Sequence, residues 1–220
     1  MNLNPGVRSC LALLLLVIAT ALFSAPSPLQ AADIESELSE ARQVFLQGVD
    51  GDKHAVRDAT NRFRSLSLNY PKEPVFVAYF GACMTLQGRD APNGINKQRL
   101  TEEGLGKIDF ALQQLADDKN MPSIRRLDIK LVAANSFIYI PSFFNRYDRG
   151  KRLLKEILED PDFNKMAPGF KSASYFAAAM VAQGDGNKSE QRQYLELAVS
   201  TDPQGRNAQF ASKMLEEQAK

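Results

Sequence analysis

The chain has 220 residues, 44% of them hydrophobic and 24% charged, with 27 Lys+Arg against 26 Asp+Glu. That ordinary globular mixture is long enough for a packed core and excludes wholesale disorder. A net charge of +1 excludes an overall electrostatic attraction to nucleic acid or to an anionic membrane.

Residues 1–32 read as a Sec-type signal peptide, leaving 33–220 as the mature domain. Arg8 supplies the positive start. Leu11 to Phe23 is an unbroken apolar run, too short to span a bilayer comfortably. Pro26 and Pro28 break it, and Ala31-Ala32 offer small residues for cleavage after either one. An uncleaved anchor is the rival reading. The expectation is a periplasmic or secreted protein with no integral span after cleavage. Cys10 precedes the apolar run, so it is not the acylated cysteine of a lipoprotein signal. Without the signal, Cys83 is the one cysteine left, and no intramolecular disulfide is possible. One cysteine and one histidine also exclude an ordinary zinc site. No metal or cofactor is expected.

The mature chain reads as a succession of short helices. Glu35 to Gln47 carries Leu38, Ala41 and Phe45 on one face, with Ser36 or Ser39 as its cap. Asp50-Gly51-Asp52 is the turn before Lys53 to Asn69, which carries Val56, Ala59, Phe63 and Leu66. Pro74 opens a third helix to about Gln87, where Gly81 and Met84 suit close packing. Cys83 lies in its small-residue run and reads as a buried small hydrophobe. Gly88 to Gly94 reads as the longest break, and a fourth helix follows from about Arg99 to Ala116. Thr101, Glu102 and Glu103 suit its N-terminal dipole.

A fifth helix starts at Pro122 and runs to about Ile140, with Leu127, Leu131, Ala134 and Ile138 inward. Pro141 interrupts it before the aromatic patch Phe143, Phe144 and Tyr147. Arg149 to Glu159 is the sixth helix. Lys171 to Pro203 holds two more. The first carries Ala173, Phe176, Ala177, Met180 and Val181, the second Tyr194, Leu195, Ala198 and Val199. Gly184-Asp185-Gly186-Asn187 turns between them. Asn207 to Gln218 is a ninth helix with a thin apolar stripe, which suits a terminal cap. No alternating β-branched run occurs, so the fold class is all-α.

The spacing of these helices carries a resemblance. Ala59, Phe63, Leu66 and Pro71 are spaced as Gln191, Leu195, Ala198 and Pro203 are. That spacing resembles the second helix of a tetratricopeptide repeat. Further stretches are Phe45-x2-Gly48, Gly51-Asp52, Ala78-Tyr79, Thr85-Leu86-x-Gly88-Arg89-Asp90-Ala91 and Glu103-Gly104-Leu105-x2-Ile108-Asp109. They resemble a largely uncharacterised family of small exported bacterial proteins of this repeat class, in places associated with ABC-type export systems. The resemblance implies a right-handed solenoid of about nine antiparallel-paired helices. It also implies an inner groove suited to a peptide or a partner helix. By the repeat register, Thr85, Arg89, Asn135, Phe176, Met180 and Gln183 fall near that groove.

Other chemistry has plainer readings. Asp50-Gly51-Asp52 and Asp185-Gly186-Asn187 lack the full calcium-loop pattern and read as helix-turn acids. His54 has no catalytic partner pattern and reads as a surface residue. Glu102 and Glu103 could be the carboxylates of a glycosidase, but a solvated helix start explains both. Phe143, Phe144 and Tyr147 with Arg146 and Arg149 could stack a ligand, but such clusters are more often core at a bend. Arg89-Asp90 reads as a turn-fixing salt bridge.

The expected function is therefore non-enzymatic, a protein-protein interaction or scaffold module of the cell envelope. The alternatives are an all-α envelope enzyme, such as a glycan-cleaving hydrolase, and an adaptor that binds through its convex face or capping helix.

Overall fold

The computed structural model of the chain describes residues 28–218. The signal-peptide reading rests on residues outside that range. The described residues divide into two units between Ser36 and Glu37. Of the first, the described part is the opening of α1 (Pro28–Val49). The second unit completes α1 and adds α2 (Lys53–Asn69), α3 (Pro74–Asp90), α4 (Gly94–Asp117) and α5 (Ser123–Tyr139). It continues with α6 (Tyr147–Leu158), α7 (Pro168–Gly184), α8 (Lys188–Thr201) and α9 (Arg206–Gln218). Single 3-10 turns, Ser142–Phe144 and Phe163–Lys165, lie on either side of α6. No strand occurs among the described residues, so the expected all-α class is the one that forms.

Local chemistry sets most helix starts. The Asp52 carboxylate accepts the backbone N–H groups of His54 and Ala55, at 2.8 and 3.1 Å, and caps α2. Asn93 caps α4 by accepting from Asn96, and Asn187 caps α8 by accepting from Glu190. Pro74 and Pro168 occupy the first turns of α3 and α7, where a missing N–H costs nothing.

Two expectations are corrected here. The expected long break at Gly88 to Gly94 shrinks to Ala91, Pro92 and Asn93, because α3 runs on to Asp90 and α4 begins at Gly94. Gly88 packs against Thr101 and the Lys97 carbonyl, so both helices extend until that contact is made. Thr101, Glu102 and Glu103 thus lie inside α4, away from its N-terminal turn. At the other end, α1 already includes Pro28, upstream of the expected start at Glu35. Ser36 and Ser39 are therefore interior to α1, and Ala31-Ala32 fall in its opening turns.

Small residues let the helices pair closely. A Cβ added at Gly81 or at Gly104 would come within 2.5 Å of the other glycine's carbonyl oxygen. α3 and α4 therefore meet backbone to backbone. Gly150 gives α6 the same approach to α5, facing the Ala134 carbonyl and Phe137. In α7, Ala179 does this work toward α8, where Leu195 and Ala198 pack with it and with Ala211 of α9, and its neighbours Ala177 and Ala178 are buried as well. Beyond these pairs, α3 touches α5, α5 touches α7 and α7 touches α9. Contacts thus run along the odd-numbered helices from α3 to α9, alongside those of α4 with α5 and of α6 with α7. No helix among the described residues is long and apolar enough to cross a membrane.

Candidate functional site

A buried polar network joins α1, α3 and α5. Arg42 of α1 donates to Tyr79 Oη of α3 at 2.8 Å and to Asp128 Oδ2 of α5 at 2.6 Å. The Tyr79 hydroxyl donates to Asp128 Oδ1 at 3.1 Å. Both carboxylate oxygens are thus occupied. Burial raises Asp128 above the ordinary carboxylate range, with the Arg42 charge working against it. Burial also raises the Tyr79 hydroxyl. It works to lower Arg42, but Tyr79 and Asp128 outweigh it and leave the guanidinium more firmly protonated. The Tyr79 ring stacks on Phe63 at 4.8 Å and meets Phe45 edge-on at 5.3 Å. This cluster clamps α1, α3 and α5 together and leaves no free nucleophile or base.

A second charged cluster joins α4 to α6. Asp109 accepts from Arg146 at 2.7 Å and also pairs with Arg149. Both guanidiniums lie over the buried Phe137 ring, at 5.6 and 5.3 Å. These two arginines therefore hold helices. The expected aromatic core at the bend forms only in part, since Phe143 is 66% exposed and packs on Phe144. Tyr147 donates to the Val181 carbonyl of α7 at 3.3 Å.

The groove residues expected from the repeat register separate. Thr85 is a correction. It is buried, its hydroxyl donates to the Ala82 carbonyl at 2.7 Å, and its methyl faces Gly104 of α4. Arg89 lies in the last turn of α3, where Nε and Nη2 fork onto Asp90 at 2.7 and 2.9 Å. Its Nη2 also reaches the Gly48 carbonyl at 3.0 Å, so it caps the end of α1. Hydrogen bonding to Asp90 leads the effects that raise its pKa. Asn135 and Met180 are half-buried and Gln183 is exposed. Phe176, Met180 and Gln183 share one face of α7, and Asn135 shares a face of α5 with Tyr139.

Phe176 leads to residues that sequence reasoning did not place near the groove. Its ring packs on Phe210 of α9 at 6.2 Å. Arg206 lies over Phe210 at 4.9 Å and forks onto Asp50, the residue after α1. Tyr139, at the end of α5, feels the Arg206 charge. Tyr139 is 58% exposed, and desolvation pushes its hydroxyl up to about 12. The candidate site is therefore the region around Tyr139, Phe176 and Phe210, edged by Asp50, Arg89 and Arg206. Tyr139 and Phe210 stand on helix faces that periodicity marks, but no spacing links residue 50 to residue 206.

Glu102 and Glu103 are exposed and accept from Gln98 and Arg99 one turn back. His54 is exposed beside Arg57, and Cys83 is buried, with burial pushing its thiol up. No group of three or more His, Cys, Asp or Glu among the described residues could hold a metal ion. Comparison with known proteins finds no family model, no curated protein and no solved structure that matches the chain.

Proposed function

We propose that this protein is an exported helical-hairpin module of tetratricopeptide-like type that binds a partner protein in the cell envelope. The helices stack as a solenoid, with the odd-numbered ones on the inner face. A partner segment lies across α5, α7 and α9, against Tyr139, Phe176, Met180 and Phe210. Asn135, Gln183 and Arg89 supply polar contacts at its edge. Service as an accessory to an ABC-type export system is the concrete form of this reading, and it comes from the family resemblance.

The observation that carries the proposal is the unbroken contact of α3 with α5, α5 with α7 and α7 with α9. Stacked helix pairs of this kind present one extended face, which suits a peptide or a helix better than a small molecule. Site-specific photo-crosslinking in cells tests it. A photoreactive residue at Tyr139 or Met180 is expected to capture a partner protein. One at Leu197 or Ile95, exposed on even-numbered helices, is expected to capture none. Crosslinks from Leu197 or Ile95 alone would place the interaction on the outer face and overturn the proposal.

A further inference from the structure

The turn between α5 and α6 carries an aromatic motif that the candidate site leaves unused. Residues 131–145 hold no charged side chain, and Arg146, Arg149, Lys151 and Arg152 then follow against Asp148 alone. The first part of that uncharged run lies in α5, where Leu131, Ala134 and Phe137 are buried. The last part is not covered: Pro141, Ser142, Phe143 and Asn145 are all exposed, Phe143 to 66%. The turn is nevertheless fixed. The Phe144 N–H donates to the Pro141 carbonyl at 3.1 Å, and the Asn145 N–H to that of Ser142 at 2.9 Å. Asn145, with φ 54°, takes the left-handed conformation that asparagine tolerates and ends the 3-10 turn. The Phe143 ring rests on Phe144 at 4.3 Å, and Phe144 is half-buried. An apolar ring is thus held out on a tip.

We propose that this turn anchors the protein on a lipid bilayer: Phe143 enters the interfacial layer, and Arg146, Arg149 and Arg152 bond lipid phosphates. The proposal takes the cell-envelope location from the reading above but needs no protein partner. A peptide or a helix is gripped by a groove, whereas a tip suits a bilayer, which deforms around it. No charged group of residues 131–145 has to leave water on insertion. The charge that follows has the right sign for phosphate. Arg146 and Arg149 share one carboxylate, Asp109, and keep 29% and 35% of their side chains in solvent. A guanidinium has five N–H donors, so each can hold Asp109 and a phosphate together. Arg152 is exposed. Asp148, and Asp185 through its pair with Lys151, offset part of this charge. Apolar insertion therefore carries most of the binding, and salt weakens it only in part.

The chain has no tryptophan, so Phe143→Trp and Leu197→Trp each give a full chain with a single fluorescent reporter. The probe is vesicles of phosphatidylcholine and phosphatidylglycerol, with and without brominated acyl chains. At position 143 the emission should shift to the blue, and brominated lipid should quench it. At position 197, 41% exposed on α8, neither should happen. The apolar run Leu11 to Phe23 is the same in both chains, so the difference between them reports the turn. Adding Arg152→Gln to the Phe143→Trp chain should raise the lipid needed for half the shift about fivefold, the share of one arginine near an anionic surface. An unshifted reporter at 143, or equal shifts at 143 and 197, with helix content intact by circular dichroism, would overturn the anchor. An Arg152→Gln titration that superposes on its parent would overturn the phosphate contacts. Capture of a partner from Tyr139 or Met180 is a separate outcome, and either experiment can fail while the other succeeds.

Discussion

Arg42 of α1 and Asp128 of α5 meet at 2.6 Å, with Tyr79 of α3 bonded to both. Three helices that are far apart in the chain are thus joined by one carboxylate. Asp128 is well buried, while Arg42 keeps 33% of its side chain in contact with solvent. Removing one partner of a buried pair costs more than the pair contributes, because the charge left behind has no water.

Arg42→Met should therefore lower stability at neutral pH by about 2–3 kcal/mol, below the usual range for a buried pair because Arg42 is partly solvated. Urea denaturation measures it. Burial already raises Asp128 in the folded state, so the folded protein takes up that proton before the unfolded chain does. The cost of the variant should shrink as pH falls toward about 4. A penalty that grows on acidification would contradict this account.

Gly104→Ala places a methyl group within 2.5 Å of the Gly81 carbonyl, where the obstacle is backbone. The helices must separate, at a cost of about 1–3 kcal/mol. Gly106→Ala, two residues on, meets nothing within 4 Å. It should be neutral or stabilise by up to about 1 kcal/mol through helix propensity. Thermal melts of the two variants should move in opposite directions.

Asp52→Ala should destabilise α2 at neutral pH, and Asp52→Asn should largely preserve it, since either oxygen can accept from the helix start. The backbone N–H of Ala55, then that of His54, holds the carboxyl below its ordinary range. The charge-dependent part of its contribution is complete above the unfolded carboxylate pKa and is lost as pH falls toward the lower folded value. The difference in stability between wild type and Asp52→Ala should accordingly narrow at acid pH, since the protonated carboxyl, like Asn, still accepts.

Cys83 is fully buried, and burial pushes its thiol well above the usual range. A disulfide reagent should modify it only after denaturant is added, at a rate that follows global unfolding. Rapid modification of the native protein would contradict the packing of α3 described above.

The helices themselves were legible because their signals are local. Lys53–Asn69 lies between the Asp52 cap and Pro71, and the structure begins and ends it there. Gly88 misled for an equally physical reason. As a turn former it suggests a break, but here its missing side chain admits Thr101, and the helix continues past it. Thr85 misled because a small β-branched residue suits an inner face or a helix-helix seam equally well.

From the sequence alone came an all-α chain, the order of its helices, most of the turns between them and the apolar stripe that each must bury. All of these follow from periodicity and from backbone preferences within a few residues. Folding in three dimensions decided the rest. It joined Arg42 to Asp128, Arg146 and Arg149 to Asp109, and Asp50 to Arg206, and it packed Phe176 on Phe210. Such partners depend on how far each helix is rotated and how closely it crosses the next. That geometry is set by the summed packing of many side chains, and no spacing along the chain encodes it.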